Sequence, residues 1–85
     1  MKETSPEMKA AILEVVDNQL REDNPPETKV TYKRLKDSGM PEENAKLYIA
    51  QALTFEMFYV LKNKEMFNAE RYARNLANLP DEPCL

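Results

Sequence analysis

The chain has 85 residues, of which 42% are hydrophobic and 32% charged, with one glycine and no histidine. This length allows one domain with a modest core, and so little glycine argues against a β-sandwich or a barrel. The net charge of −3 disfavours nucleic acid and anionic membranes as partners.

The first two predicted helices are separated by a proline pair. The first helix runs from about Pro6 to Glu22, with Ser5 as its N-cap. The second runs from about Pro26 to Ser38. Gly39 after it is the residue expected in a left-handed conformation, and Met40 is expected to make the hydrophobic contact of a Schellman end.

The third and fourth predicted helices complete the domain. The third runs from about Pro41 to Lys62, and the fourth from about Ala69 to Leu79. Asn68 is the predicted N-cap of the fourth helix, and Phe67 and Tyr72 have the spacing of a hydrophobic staple. We therefore predict an all-α, compact bundle of four helices with short loops. It forms one domain over residues 1–85, with an ordered core at about 5–80 and a frayed tail at 81–85.

Polar side chains fall in the middle of two helix faces that are expected to be buried. At about 100° per residue, Glu56 lies near the centre of the apolar face of the third helix, and Gln19 near that of the first. Because a buried carboxylate needs donors, we predict a polar network of Gln19, Arg34 and Glu56. It could fix helix register or line a ligand pocket. The remaining alternative is that Glu56 faces solvent or a subunit interface.

The opposite side of the third helix is also apolar, with Leu47, Phe55, Phe58 and Leu61. A helix that is apolar nearly all round is either central in its bundle or shared with another subunit. We expect the central position. The alternative is a homodimer seam, for which Phe55, Phe58 and Leu61 are the interface candidates.

The second helix carries a basic strip that is a nucleic-acid candidate, formed by Lys29, Lys33, Arg34 and Lys36. With the turn that follows, the second and third helices also have the outline of a helix-turn-helix motif. However, the helix that would read DNA opens with Glu42 and Glu43, which would repel phosphates. Nucleic-acid binding is therefore disfavoured.

The residue types exclude most catalytic machinery. Without histidine there is no Ser–His or Cys–His pair and no histidine metal ligand. The single cysteine, Cys84, falls in the predicted frayed tail, where we expect no base to be available to it, and it allows no intrachain disulfide. We expect no catalytic residue, no metal site and no cofactor, and therefore no enzyme.

The expected location is the cytoplasm. The N-terminal sequence MKETSPEMKA lacks the apolar segment of a secretory signal. The longest apolar run, residues 52–61, is too short for a membrane span. We expect no membrane partner.

A family resemblance rests on residues spread over most of positions 8–80, namely Asn18, Gln19, Arg34, Leu35, Gly39, Ala45, Glu56, Phe67, Tyr72 and Leu76. In these the chain resembles a family of small bacterial all-helical proteins of unknown function, some of which are associated with a C-terminal SEC-C-type metal motif. The resemblance implies that Gln19, Arg34 and Glu56 coincide with the polar positions of the family. Relatives often carry a histidine early in the first helix. This chain has neither that histidine nor the SEC-C cysteines, so the resemblance implies no metal role here.

The leading functional prediction is a non-enzymatic module that binds a protein partner or acts as a scaffold, with self-association as one route. The alternative is a module that binds a small ligand or nucleic acid. It would use the basic strip of the second helix or a polar pocket at Glu56.

Overall fold

A computed structural model describes residues 6–81 of the chain. These residues form four α-helices, α1 (Pro6–Glu22), α2 (Pro26–Asp37), α3 (Glu42–Asn63) and α4 (Ala69–Asn78). The predicted all-α bundle is confirmed, and each predicted helix end lies within one residue of the observed end. The predicted N-cap Ser5 and residues 82–85 of the predicted tail lie outside the described residues.

The end of α2 is the predicted Schellman motif. Gly39 has a φ of 98°, and its N–H donates to the carbonyl of Lys36 at 3.0 Å. The N–H of Met40 donates to the carbonyl of Leu35 at 3.2 Å, and the Met40 side chain packs against the core. These two bonds satisfy carbonyls that the end of a helix otherwise leaves unpaired. They also turn the chain into the short connection to α3.

Replacing Gly39 with alanine is expected to lower the free energy of unfolding by about 1 kcal/mol, because a Cβ is strained at positive φ. No atom lies within 4 Å of the position of that Cβ, so the cost comes from the backbone conformation alone. Urea unfolding followed by circular dichroism measures the change. Asp37→Ala, one helical position before the cap, is the control and should change stability by less than about 0.5 kcal/mol. An unchanged midpoint for Gly39→Ala would contradict the assignment of this turn.

The turn between α3 and α4 is held by local contacts at both of its ends. α3 ends at Asn63, and its C-cap residue Lys64 is left-handed with a φ of 53°. Asn68 then caps α4, because its side-chain oxygen accepts from the N–H of Arg71 at 2.9 Å. The rings of Phe67 and Tyr72 meet edge to face with centroids 5.5 Å apart, which confirms the predicted staple.

The core draws on all four helices. α3 packs against each of the other three helices, and α2 does so as well. The buried apolar side chains are Ile12, Val16, Leu35, Ala45, Ile49, Ala50, Ala52, Leu53, Tyr72, Leu76 and Leu79. Over residues 6–81, no helix combines the length and the apolar character that crossing a membrane requires.

Candidate functional site

Glu56 is fully buried, as predicted, but its donors come from α4. The Arg71 guanidinium donates through Nε to Oε1 at 2.7 Å and through Nη2 to Oε2 at 2.7 Å. The N–H of Asn68 donates to Oε2 at 2.9 Å. The predicted network of Gln19, Arg34 and Glu56 is therefore wrong. Glu56 lies in the C-terminal half of α3, which the short turn places against the first turn of α4.

Arg71 is held on several sides as well. Its Nη1 lies 3.0 Å from Oε1 of Glu65, and its guanidinium carbon lies 4.0 Å from the ring centre of Tyr59. A guanidinium over an aromatic ring gains a cation–π attraction in addition to its hydrogen bonds. Glu56, Tyr59, Glu65, Asn68 and Arg71 together form a cluster that we call the α3–α4 clamp.

The contacts within the clamp favour the ionised forms of both Glu56 and Arg71. Burial by itself raises the pKa of the Glu56 carboxyl. The hydrogen bonds from Arg71 and Asn68, with the charge of Arg71, outweigh burial and hold that pKa below its ordinary value. The bond to Glu56 is also the main reason why the pKa of Arg71 is raised. Both carboxylate oxygens are occupied and enclosed, so a ligand pocket at Glu56, the second sequence-based alternative, is wrong too.

Gln19 belongs to a separate polar cluster that joins three helices. Its Oε1 accepts from the Thr28 hydroxyl on α2 at 2.8 Å and from the Tyr72 hydroxyl on α4 at 2.8 Å. Burial raises the pKa of Tyr72, although the bonds with Thr28 and Gln19 oppose that shift. The polar residue on the buried face of α1 therefore supplies an acceptor for two hydroxyl groups that are enclosed in the core.

Arg34 has a third role, at the C-terminal end of α4. Its Nη2 donates to the carbonyls of Leu76 at 3.0 Å and Ala77 at 3.3 Å. A cation in this position satisfies last-turn carbonyls and favours the negative end of the helix dipole. Arg34 stays exposed, but its guanidinium is hydrogen-bonded to α4, so the other members of the predicted basic strip are three exposed lysines.

Those three lysines, Lys29, Lys33 and Lys36, share one exposed side of α2 at intervals of four and three residues. Lys36 places its ammonium 5.2 Å from the ring centre of Tyr32, which is partly buried. Three lysines on one helix give a short positive patch, with no aromatic side chain exposed beside it for stacking on bases.

The side of α3 that faces away from the core carries exposed apolar residues. We call it the outer face of α3 and define it by Leu47, Gln51, Thr54, Phe58 and Leu61. Phe58 is 55% exposed and Leu61 is 75% exposed. α3 has the expected central position, since it packs against all three other helices. These helices cover only its inner side, however, so the central position does not account for the apolar residues of the outer face. Phe55, the third interface candidate, is half-buried at the edge of this face, with its ring centroid 6.0 Å from that of Tyr59.

The loop between α3 and α4 forms a shallow, open depression. Its lining runs continuously along the chain, through Glu65, Met66, Phe67, Asn68, Ala69 and Glu70. Most of it is open to solvent, so it encloses no small molecule. Within residues 6–81, no three histidine, cysteine, aspartate or glutamate side chains are grouped in a way that could hold a metal ion.

Sequence reasoning missed Arg71 as the partner of Glu56. One signal was present, because a short turn after a helix makes an antiparallel neighbour of the next one. Arg71 is the first arginine after Glu56, and it lies in the first turn of α4. The remaining missed contacts, such as Tyr72 with Gln19, depend on the packing of helices that are distant in sequence.

Comparison of the chain with known protein families, with curated proteins and with solved structures found no significant match. The resemblance to small bacterial helical proteins therefore stays a prediction from the residues.

Proposed function

We propose that this chain is a non-enzymatic protein-interaction module that binds its partner through the outer face of α3. The observation that carries the proposal is the exposure of Phe58 and Leu61 on a helix whose opposite side forms the core. Large apolar side chains that lie together on a surface are costly in water and mark binding surfaces. Leu47, on the same line of the helix, is 41% exposed and extends the patch toward the start of α3.

The polar side chains at the predicted network positions have structural rather than catalytic roles in this proposal. Glu56, Gln19 and Arg34 each have hydrogen-bonding partners inside the fold. A catalytic carboxyl group needs access to a substrate and a pKa near the working pH. Glu56 has neither, since it is enclosed and its pKa is lowered. These features favour binding over catalysis.

The alternative of nucleic-acid binding has less support than protein binding. Its basic strip loses Arg34 to the end of α4, and the chain as a whole carries a net charge of −3. The patch that remains would have to overcome the repulsion of phosphates by the acidic residues of the chain. The apolar outer face of α3 needs no such compensation to bind a protein.

A photo-crosslinking amino acid placed at Leu61 tests the proposal. The full chain is expected to give covalent products with protein in an extract of its native host, resolved by denaturing electrophoresis. Val30 is the matched control site, because it is apolar and 66% exposed but belongs to a different helix, α2. A product obtained at Leu61 and not at Val30 would support the outer face of α3 as the docking surface.

The Phe58→Glu variant completes the experiment. It places a charge beside Leu61 at an exposed position of the apolar patch, so it should remove the Leu61 product while leaving the helical circular dichroism unchanged. Equal yields at Leu61 and Val30, or a Leu61 product that survives Phe58→Glu, would overturn the proposal.

A further inference from the structure

We infer that the partner of the outer face of α3 is a second copy of this chain, bound with the two α3 helices antiparallel. The inference rests on the proposed function and names its partner. It follows from two features of α3, the spacing of the residues along its outer face and the separation of charge between its ends.

The outer face of α3 has the spacing of a coiled-coil seam. Its residues Leu47, Gln51, Thr54, Phe58 and Leu61 follow one another at intervals of four, three, four and three. Such a pattern keeps one line of side chains facing a partner helix along its whole length. The apolar residues occupy the two ends of the line, and the polar residues occupy its middle.

A two-fold axis between Ala52 and Leu53 makes this face complementary to itself. Leu47 then lies beside Phe58 of the second copy, and Leu61 lies beside Asn44 of the second copy. At the centre, Gln51 lies beside Thr54 of the second copy. The Thr54 hydroxyl donates to the carbonyl of Ala50 at 2.8 Å and keeps its acceptor capacity for the Gln51 amide.

The charges at the ends of α3 select the antiparallel direction. Glu43 lies in the first turn, whereas Lys62 lies in the last turn and Lys64 follows it. Within residues 6–81, none of these three forms an ion pair in the single chain. An antiparallel pair brings Glu43 close to Lys64 of the second copy, and symmetry makes this contact twice. A parallel pair would instead bring Glu43 next to Glu43 of the second copy and Lys64 next to Lys64, so like charges would repel.

Charge exchange tests the direction of the pair. Sedimentation equilibrium of the full chain is expected to show a dimer whose Kd rises about tenfold in Glu43→Lys and in Lys64→Glu, because each substitution replaces two attractions by two repulsions. The variant that combines both substitutions should return the Kd to within about threefold of the original value. Glu14→Lys on α1 is the matched control for the same change of charge, and it should leave the Kd unchanged.

Disulfide trapping tests the register. In a Cys84→Ser background, Asn44→Cys and Leu61→Cys chains are mixed and oxidised, with one chain tagged. The antiparallel register places residue 44 beside residue 61 of the second copy, so the mixed disulfide should dominate. Residues 44 of the two copies would lie about 25 Å apart along the axis, at 1.5 Å per residue. A parallel pair would instead give disulfides between identical chains, and that result would overturn the inference.

The outcomes separate the inference from the proposed function. A chain that stays monomeric up to about 1 mM, a concentration matching a binding free energy of about −4 kcal/mol, would overturn self-association. If Leu61 still formed a product with a different protein, lost in Phe58→Glu, the docking surface would stand with another partner. If Leu61 formed no product beyond that of Val30, the proposed function would fail as well.

Discussion

Replacing Glu56 with alanine is expected to lower the free energy of unfolding by about 3 kcal/mol, the scale on which loss of one partner destabilises a buried ion pair. The substitution removes the acceptor of two Arg71 hydrogen bonds and leaves the N–H of Asn68 without its carboxylate. It also empties part of the space between α3 and α4. Urea unfolding at pH 7, followed by circular dichroism, measures the loss.

Glu65→Ala is the matched control for this variant. It removes the other carboxylate that contacts Arg71, but the Glu65 side chain is 43% exposed. An exposed ion pair contributes little, so a loss below about 1 kcal/mol is expected. Equal losses in the two variants would show that burial of Glu56 does not determine the strength of the α3–α4 clamp.

The pH dependence of stability provides a second readout for Glu56. Its pKa is lower in the folded chain than the value of about 4.3 for a free glutamate. Its contribution is therefore complete above the unfolded pKa and is lost as the pH falls through the folded one. Between about pH 5 and pH 2, the stability of Glu56→Gln should fall less steeply than that of the original chain. Parallel pH profiles would contradict the lowered pKa.

The second large effect is expected at Tyr72. Tyr72→Ala should cost about 4 kcal/mol, because it removes a fully buried aromatic ring and leaves a cavity at the centre of the bundle. It also removes the edge contact with Phe67 and the hydroxyl that donates to Gln19. A loss of this size approaches the whole stability of a domain of this length, so the variant should be largely unfolded at 37 °C.

Tyr72→Phe separates the hydroxyl from the ring and keeps the prediction measurable even if the alanine variant does not fold. Loss of one buried hydrogen bond is expected to cost about 1 kcal/mol. Tyr48→Phe is the control, because Tyr48 also packs against the core. Within residues 6–81, the Tyr48 hydroxyl has no hydrogen-bond acceptor. A phenylalanine variant as stable as the original chain would show that the bond to Gln19 contributes no net stability.

The helices could be predicted closely because their ends are decided locally. The prolines after Asn24, the left-handed position of Gly39 and the capping side chain of Asn68 act within a few residues of each helix end. Burial of Glu56 could also be predicted, since the angular position of a residue on a helix follows from its number. Its partner could not, because a helical wheel does not say which neighbouring helix a residue faces.

The sequence identified the apolar outer side of α3, but it left open whether other helices cover that side. The sequence pattern of an apolar helix side is the same whether other helices cover that side or leave it exposed to solvent. α3 has 22 residues and is about 33 Å long at 1.5 Å per residue, whereas α4 has only 10. Three shorter helices on one side cannot surround the longest one, so Phe58 and Leu61 stay exposed.

The polar contacts of α4 have a consequence for the order in which the chain folds. This shortest helix is hydrogen-bonded to each of the other three, through Tyr72 to Gln19, through Leu76 to Arg34 and through Arg71 to Glu56. During synthesis, residues 6–63 leave the ribosome before α4 does. Until α4 packs against the other helices, the carboxylate of Glu56 and the amide of Gln19 lack these partners. The apolar surface that α4 covers in the folded domain is exposed to water during that time. The domain should therefore complete its folding only after α4 has emerged from the ribosome, as one cooperative unit.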